Sequence, residues 1–471
     1  MKPDSCLFQV AFAVLCALIP GLHATPGHAQ TADAPVAYEN ATFITGDGLV
    51  LSDGVMLVRA GVIEAVGARG ATPVPAGATM VDLQGRTVMP ALIDSHAHIG
   101  YEAYVGWGAE YYSRENILEN LRRYAWYGFG AVFSAGSDPL ELARDIEAER
   151  LAGTYHGARL LVASGMAPPG QGPNAAFLAH VLAVEARTGQ RILRGAATPE
   201  QGREAVREIA ASGSGFIKIW VDDRGGAQEK MPAEVYRAIA DEARQFGISV
   251  LVHQQAAADM PGLISAGVSG FLHGRIGPEL DEGMAAAMAE RDIFLVPNLG
   301  LSELRWERLA DDPFLTDLLP LDVVQRIGDA FDARPAAGPA ARYEQDLREG
   351  MARLQAAEVD IVLGTDAGAV RDHFFGYAGH RELEIFVRLG MTPLQAIHAA
   401  TGLAAQHLGL TDTGTLAAGK RADFVVLEAS PLDDIRHTRR IHAVFLGGVA
   451  FDREAFQQAA RQAQAGAQSP Q

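Results

Sequence analysis

Eight short apolar runs recur between residues 92 and 366, and amphipathic stretches separate many of them. The runs are LIDSHAH, AVFSAG, RLLVASG, FIKIWV, SVLVHQ, GFLHG, IFLVPNL and DIVLGTD, and each has the length and β-branched content of a buried strand. Stretches such as PEQGREAVREIAASG and PAEVYRAIADEARQFG have helical periodicity. Strands that alternate with helices form parallel sheets, and eight such units predict a (β/α)8 barrel rather than an open doubly wound sheet.

Segments of a different texture flank these units. Residues 37–87 form short alternating runs with glycine turns, and the same texture returns in GTLAAGKRADFVVLEA and HAVFLGGVAFD near the carboxyl terminus. We expect the two segments to complete one small β-sandwich into which the barrel is inserted. The predicted division is a signal peptide at 1–29, sandwich parts at 30–88 and 413–455, the barrel at 89–412 and a tail at 456–471.

The amino-terminal residues are typical of an export signal. An uncharged, mostly apolar run, residues 7–19, follows Lys2 and ends at Pro20, and small residues precede a cleavage point near Ala29. The run is short for a membrane span, so cleavage is favoured over an uncleaved anchor. Cys6 and Cys16 both lie inside this segment, so the mature chain is expected to lack cysteine. A periplasmic or secreted protein without disulfides or thiolate sites is predicted.

The charge balance excludes some partners. A formal net charge of −18 disfavours nucleic acid and anionic membranes, which bind clusters of Lys and Arg. We therefore expect no nucleic-acid partner and no membrane contact after signal cleavage. The charge does not bear on a small-molecule substrate, which the residues considered below lead us to expect, and homo-oligomerisation stays open.

Six ionisable residues fall at or near the carboxyl ends of the apolar runs, which is where parallel barrels build active sites. They are His96, His98, Lys218, His253, His273 and Asp366. Because side chains alternate along a strand, His96 and His98 point to the same side and suit one metal ion. His253 and His273 supply a second pair of nitrogen ligands. A group of this kind, spread over strand after strand, predicts a metal site.

Lys218 is the unusual member, because an ammonium group is not a metal ligand and its burial is costly. Nearby divalent cations lower its pKa, and the neutral amine can then take up carbon dioxide and become a bridging carbamate. The alternative is an ordinary lysine paired with Asp222 or Asp223. Asp366, in GTDAG, fits as a metal ligand and as the general base that accepts a proton from water.

Over its predicted mature length the chain resembles the amidohydrolase superfamily, through these six residues in order and the closing segments GMTPLQAIHAATGLAAQHLGL and GTLAAGKRADFVVLEASPLDDI. Within it, the chain looks most like the imidazolonepropionase-related, prolidase-like branch of binuclear enzymes. The resemblance implies one metal on His96, His98, Lys218 and Asp366, and a second on Lys218, His253 and His273. Zinc is the expected ion, and manganese, cobalt or iron also fit these ligands. Two segments that border the predicted pocket depart from the pattern of the superfamily. They are VFSAGSD, in the second predicted strand, and VHQQ, which follows the fifth.

The expected reaction is hydrolysis of an amide or peptide-like bond, in a dipeptide or an N-acyl amino acid, by metal-activated hydroxide with Asp366 as proton shuttle. The alternative is an ester, lactone or phosphotriester at the same site, and a remote one is a non-catalytic structural relative. Deamination is disfavoured because deaminases of the superfamily do not need a lysine at the position of Lys218, in the fourth predicted strand.

Several residues in segments that follow strands are candidates for substrate contact. They are Arg194, Arg224, Arg275 and Arg371, with Tyr101 and His180 as weaker candidates and His380 as a substitute proton carrier. The long connections 165–198 and 302–360 are expected to shape the pocket or to pack against another subunit.

Overall fold

The structure, a computed structural model, describes residues 34–274, 276–334 and 338–467, with side chains described up to residue 462. The predicted signal peptide and Arg275 lie outside the described residues. The described chain is mixed α/β, which confirms the predicted class. No helix in these described ranges is long and apolar enough to cross a membrane.

Parallel strands form the centre of the molecule, and they occupy seven of the eight predicted runs. Their bounds are β6 (Leu92–Ala97), β7 (Phe129–Ser134), β8 (Arg159–Val162), β9 (Ser164–Ala167), β10 (Leu193–Gly195), β11 (Phe216–Val221), β12 (Ser249–Gln254), β13 (Gly270–Leu272) and β14 (Phe294–Val296). Hydrogen bonds join them in the orders β6-β7-β8 and β10-β9-β11-β12-β13-β14. The third predicted run is divided into β8 and β9, so its two halves pair with different neighbours.

The eighth predicted run differs from the expectation of a regular strand. Residues 360–367 form only isolated parallel bridges, Leu295 with Ile361 and Ala97 with Ala367. Their backbone nevertheless bonds to both neighbours, since the Leu295 amide donates to the Asp360 carbonyl (2.9 Å) and the Ser95 amide donates to the Leu363 carbonyl (3.0 Å). The segment therefore connects β14 to β6.

Helices cover the outside of these strands. Their bounds are α1 (Arg114–Trp126), α2 (Leu140–Leu151), α3 (Ala175–Thr188), α4 (Pro199–Ala211), α5 (Ala233–Gln245), α6 (Met260–Ala266), α7 (Glu282–Ala289), α8 (Leu299–Glu303), α9 (Pro313–Thr316), α10 (Leu321–Asp332), α11 (Tyr343–Ala356), α12 (Tyr377–Arg388), α13 (Pro393–Ala399), α14 (Gly402–His407) and α15 (Arg453–Ala467). Local signals set several starts. Thr198 caps α4, with proline in the first turn, and Thr392 and Gln395 form a capping box on α13.

The two terminal β segments share one sheet. Its strands are β1 (Val36–Ile44), β2 (Val50–Arg59), β3 (Val62–Ala68), β4 (Thr79–Asp82), β5 (Thr87–Pro90), β15 (Phe424–Leu427), β16 (Ile441–Leu446) and β17 (Val449–Ala450). The pairing order is β17-β16-β15-β5-β1-β2-β3, with β4 on β1. The antiparallel β5–β15 pair joins residues more than 300 positions apart, so the two β segments that flank the parallel strands fold together.

Two apolar cores hold the site in place. One lies among the parallel strands and includes Ile93, Phe133 and Leu251, which are at most 1% exposed. The larger core fills the space between strands and helices. Burial on both faces removes freedom from the strands, so side chains at their ends have fixed positions.

Candidate metal centre

The strand ends bring the six predicted site residues together. His96 lies in β6, Lys218 in β11 and His253 in β12, whereas His98 and His273 directly follow β6 and β13. Asp366 lies near the end of the bridged segment 360–367. The Asp366 carboxylate is at the centre. Its Oδ1 is 3.0 Å from His98 Nε2 and 3.3 Å from His96 Nε2, and its Oδ2 is 3.5 Å from His273 Nε2. The ring centroid of His253 lies 4.8 Å from that of His273.

This cluster has the donor set and the geometry of a cation site. One ligand atom each from His96, His273 and Asp366 lie within 4.8 Å of one another. His96 Nε2 and Asp366 Oδ1 are buried without a hydrogen-bond partner among the described residues. Because buried polar atoms are nearly always satisfied, two such atoms facing each other indicate that something else fills their valence. Imidazole nitrogen and carboxylate oxygen fit a divalent metal.

The environment of Lys218 favours a reactive amine. Its side chain is fully buried, and this burial lowers its pKa to about 7, with Asp366 opposing the shift and Arg224 adding to it. A substantial fraction of the amine is then neutral at physiological pH. Asp222 is engaged elsewhere, with His253 at 3.1 Å and Arg224 at 3.0 Å. These contacts do not support the simple Lys218–Asp222 pair.

Outer residues orient the histidines, and the sequence did not identify them. His96 Nδ1 lies 3.0 Å from Asn298 Oδ1, and His98 Nδ1 lies 2.7 Å from Ser137 Oγ. Asn298 Oδ1 also accepts the backbone N–H of His273 at 3.2 Å. These contacts leave Nε2 of both rings facing Asp366. Such outer contacts fix ring orientation and strengthen metal binding. Their only signal in the sequence is a polar residue just beyond an apolar run.

The backbone around the cluster is strained. His273 (φ 66°), Asn298 (φ 52°) and Asp366 (φ 61°) all adopt the left-handed region, which non-glycine residues rarely occupy. At Gly368 (φ +84°), a Cβ atom would lie 2.1 Å from the His98 carbonyl oxygen. Strain of this kind persists where the surroundings enforce it and concentrates at functional sites.

Burial also keeps the ring nitrogens available as ligands. It lowers the pKa of His253 to about 4 and that of His96 and His273 well below the usual value. Neutral imidazole is the form that binds metals. His373, which the sequence reading did not single out, is buried beside Asp366, and its pKa falls to about 4 for the same reason.

The structure places one of the described candidate arginines at the cluster and shows the other two engaged elsewhere. Arg224 adjoins the cluster, with one terminal nitrogen 3.0 Å from His253 Nε2. Arg194 instead pairs with Glu208 at 3.5 Å, and the exposed Arg371 donates to the Val105 carbonyl at 2.9 Å.

The remaining candidates serve the surrounding framework. Tyr101 is fully buried and donates to the Ser137 carbonyl at 2.9 Å. His180 Nδ1 accepts the Ala109 N–H at 3.0 Å. The prediction that His380 could act as a substitute proton carrier is wrong. Its two ring nitrogens contact Thr438 and the Tyr127 carbonyl rather than the pocket. Tyr127 lies just before β7, at the end of that strand away from the cluster.

Comparison with known proteins agrees with this geometry. The profile of the Amidohydrolase family matches residues 87–451. The chain therefore belongs to the Amidohydrolase family, whose members generally use divalent metals.

Similar individual proteins indicate the branch of the family to which the chain belongs. The imidazolonepropionase of Deinococcus deserti is 28% identical over 411 residues, which are 82% of this chain and 88% of the relative. A putative prolidase from Bifidobacterium longum superposes with a TM-score of 0.66 at 27% identity, over 91% of this chain and 99% of that one. Phenylurea hydrolase B gives a TM-score of 0.66 at 25% identity, over 90% and 98%. The chain is a hydrolase of carbon–nitrogen bonds in the imidazolonepropionase-related, prolidase-like branch.

Proposed function

We propose that this protein is a binuclear metal-dependent amidohydrolase that cleaves an amide or peptide-like bond of a dipeptide or an N-acyl amino acid. The observation that carries the proposal is the buried group around Asp366, in which the ligand atoms of three histidines converge on one carboxylate and His96 Nε2 makes no hydrogen bond to a described residue. Relatives named as imidazolonepropionase, putative prolidase and phenylurea hydrolase support carbon–nitrogen chemistry.

The proposed roles combine the positions of these residues with the ligand set that the resemblance implies. His96, His98, carboxylated Lys218 and Asp366 would hold the first metal, and Lys218, His253 and His273 would hold the second. Bound divalent metals of this kind lower the pKa of water and polarise the carbonyl group. Asp366 faces three imidazoles, so its carboxylate is positioned to accept the proton of the attacking water and to pass it to the leaving amine.

The proposal includes the scaffold. We take the parallel strands to close into a (β/α)8 barrel, with the terminal β segments forming a small β-sandwich beside it. The bonds of residues 360–367 to β14 on one side and to β6 on the other support closure. All six site residues then lie on the carboxyl-terminal face, where barrel enzymes carry their active sites.

Export is a separate proposal. The apolar segment within residues 1–29 and the absence of cysteine beyond it support a cleaved signal and a periplasmic or secreted mature protein. Mass spectrometry of the protein recovered from the producing cell checks this. We expect a mature amino terminus near residue 30, and intact residues 1–29 on the exported protein would contradict it.

A substrate screen tests the reaction. The metal-loaded protein is assayed against dipeptides, N-acyl amino acids, lactones and phosphotriesters, with the chelator-treated protein as control. We expect metal-dependent turnover of the first two classes. Turnover confined to lactones or phosphotriesters would replace the proposed bond with an ester bond at the same site, and turnover that survives complete metal removal would reject metal-dependent chemistry.

A further inference from the structure

Among the described candidate arginines, Arg224 is the one that contacts the cluster, and several hydrogen bonds hold this residue in place. It follows β11, the strand that carries Lys218, and its own backbone is in the left-handed region (φ 51°). Its amide donates to Asp222 Oδ1 at 2.9 Å. Its Nε donates to the Pro173 carbonyl at 2.8 Å and lies 3.0 Å from Asp222 Oδ2. The guanidinium group is therefore fixed before any ligand arrives.

The fixed group still has donors to offer. Nη2 reaches His253 Nε2 at 3.0 Å, and none of the described residues accepts a hydrogen bond from Nη1. The Arg224 side chain is 29% exposed, whereas the side chains of His253 and Asp222 are 5% and 10% exposed. A planar guanidinium with one edge anchored and the other open matches the two oxygens of a carboxylate. Preorganisation also reduces the entropy lost when an anion binds.

Of the other candidate arginines, the two that the structure describes offer no comparable group at the cluster. Arg194 is paired with Glu208, and Arg371 is exposed on the loop after Asp366, where it donates to a backbone carbonyl. Pro173 belongs to the long connection after β9, so Arg224 also links this connection to the rim of the cluster. A substrate group that binds Nη1 would thus lie beside His253 and below this connection.

We propose that Arg224 binds a carboxylate of the substrate and so selects amides that carry a carboxylate close to the scissile bond. This inference rests on the proposed function, because it assigns a specificity residue to the same site. Asp222 holds the guanidinium in place, and Nη1 receives the anion. The favoured class is N-acyl amino acids and dipeptides with a free carboxyl group, in preference to their carboxamides.

Binding of non-hydrolysable pairs tests this without relying on turnover. N-methanesulfonyl derivatives of alanine, leucine and phenylalanine are compared with their carboxamides by calorimetry on the metal-loaded full chain. A sulfonamide replaces the scissile amide in these probes. We expect the wild type to prefer the free acid by about 10- to 100-fold, the range for hydrogen bonds to a charged group. Arg224→Gln removes this preference, Arg224→Lys keeps part of it, and the matched control Arg371→Gln keeps all of it.

Other results would overturn the assignment. These are the absence of a preference in the wild type, no binding of either probe, or an unchanged preference in Arg224→Gln. Equal weakening of acid and carboxamide, together with loss of metal, would make Arg224 a positioning residue for His253 instead. Hydrolysis is measured separately on N-acyl amino acids. A carboxylate preference that depends on Arg224 without any amide turnover rejects the proposed function alone, and turnover without that preference rejects this inference alone.

Discussion

Two groups of metal-ligand-type residues lie at opposite ends of the parallel strands. His96, His273 and Asp366 lie at the carboxyl ends, and Asp292, Asp360 and His407 lie near the amino ends of β14 and the segment that follows it. In each group the ligand atoms are within 4.8 Å of one another. Residue type and spacing therefore do not distinguish the two groups.

Burial and pairing do distinguish them. At the amino ends, His407 Nε2 already pairs with Asp360 Oδ2 at 2.7 Å, its ring stacks on Phe294, and Asp292 is exposed. At the carboxyl ends, buried atoms of His96 and Asp366 have no hydrogen-bond partner in the described part of the chain. A site is indicated by buried ligand atoms that the protein leaves unsatisfied, whereas a satisfied, partly exposed pair is ordinary surface chemistry.

The largest expected difference between the two groups is in turnover. Asp366→Asn keeps the shape of the side chain but cannot carry a proton, so kcat should fall by about a hundredfold or more, the usual scale for a positioned acid–base group. Asp360→Asn, the matched change at the other end, should leave kcat within about twofold. Steady-state kinetics on the best substrate of the screen measures both. Near-normal turnover in a metal-loaded Asp366→Asn protein would remove the proton-carrying role from Asp366.

Metal content gives the next largest contrast. Elemental analysis of the wild type should find about two divalent ions per chain if Lys218 bridges as a carbamate. His96→Ala should lose metal and activity while the far-ultraviolet dichroism stays native, because the core does not depend on this ring. His407→Ala should keep both ions. Loss of metal from the His407 variant would show that the group at the amino ends also binds metal, and it would contradict the distinction drawn here between the two groups.

A smaller effect is expected at Asn298, which touches the cluster through His96 and the His273 backbone. Asn298→Ala removes the accepting oxygen, so metal affinity should fall by about 10- to 100-fold, as for other outer contacts of metal ligands. Asn298→Asp keeps an accepting oxygen and should recover part of the loss. Competition with a chelator measures the affinity. Equal affinities in the alanine variant and the wild type would show that the ring needs no such support.

The smallest effect concerns Glu382, which supports the start of helix α8 just after Asn298. It is buried and accepts the N–H groups of Leu299 (2.9 Å) and Gly300 (2.7 Å), and burial raises its pKa to about 8. Between about pH 4.5 and 8 the unfolded chain releases a proton that the folded state keeps, so the wild type loses stability as pH rises through this window.

Glu382→Gln cannot titrate and should lack this part of the pH dependence. The difference between the thermal midpoints of the wild type and the variant should favour the wild type most at pH about 5 and shrink by pH about 8.5. A difference that is constant across this range would show that Glu382 does not titrate there.

The sequence by itself determined most of the parallel strands, and it predicted the ligand set that the proposed function uses. The period-two alternation of side chains along a strand predicted that His96 and His98 point to the same side. Apolar runs bounded by helical stretches predicted most of the parallel strands. Both patterns are local consequences of backbone geometry. The resemblance to the amidohydrolase superfamily added the predicted assignment of the six residues to two metals. The eighth run nevertheless forms isolated bridges rather than a regular strand, and Asp366 near its end adopts the left-handed conformation.

Only the tertiary structure decided which residues support the cluster. Asn298, Ser137 and Asp222 come from three different strand ends, and no spacing along the chain relates them to the histidines they contact. The same holds for the arginines, since four looked alike in the sequence and one of those described contacts a cluster histidine. Side-chain contacts between distant segments depend on how the strands pack together. A local pattern therefore names the kind of residue a site needs, and packing selects the individual residues that serve it.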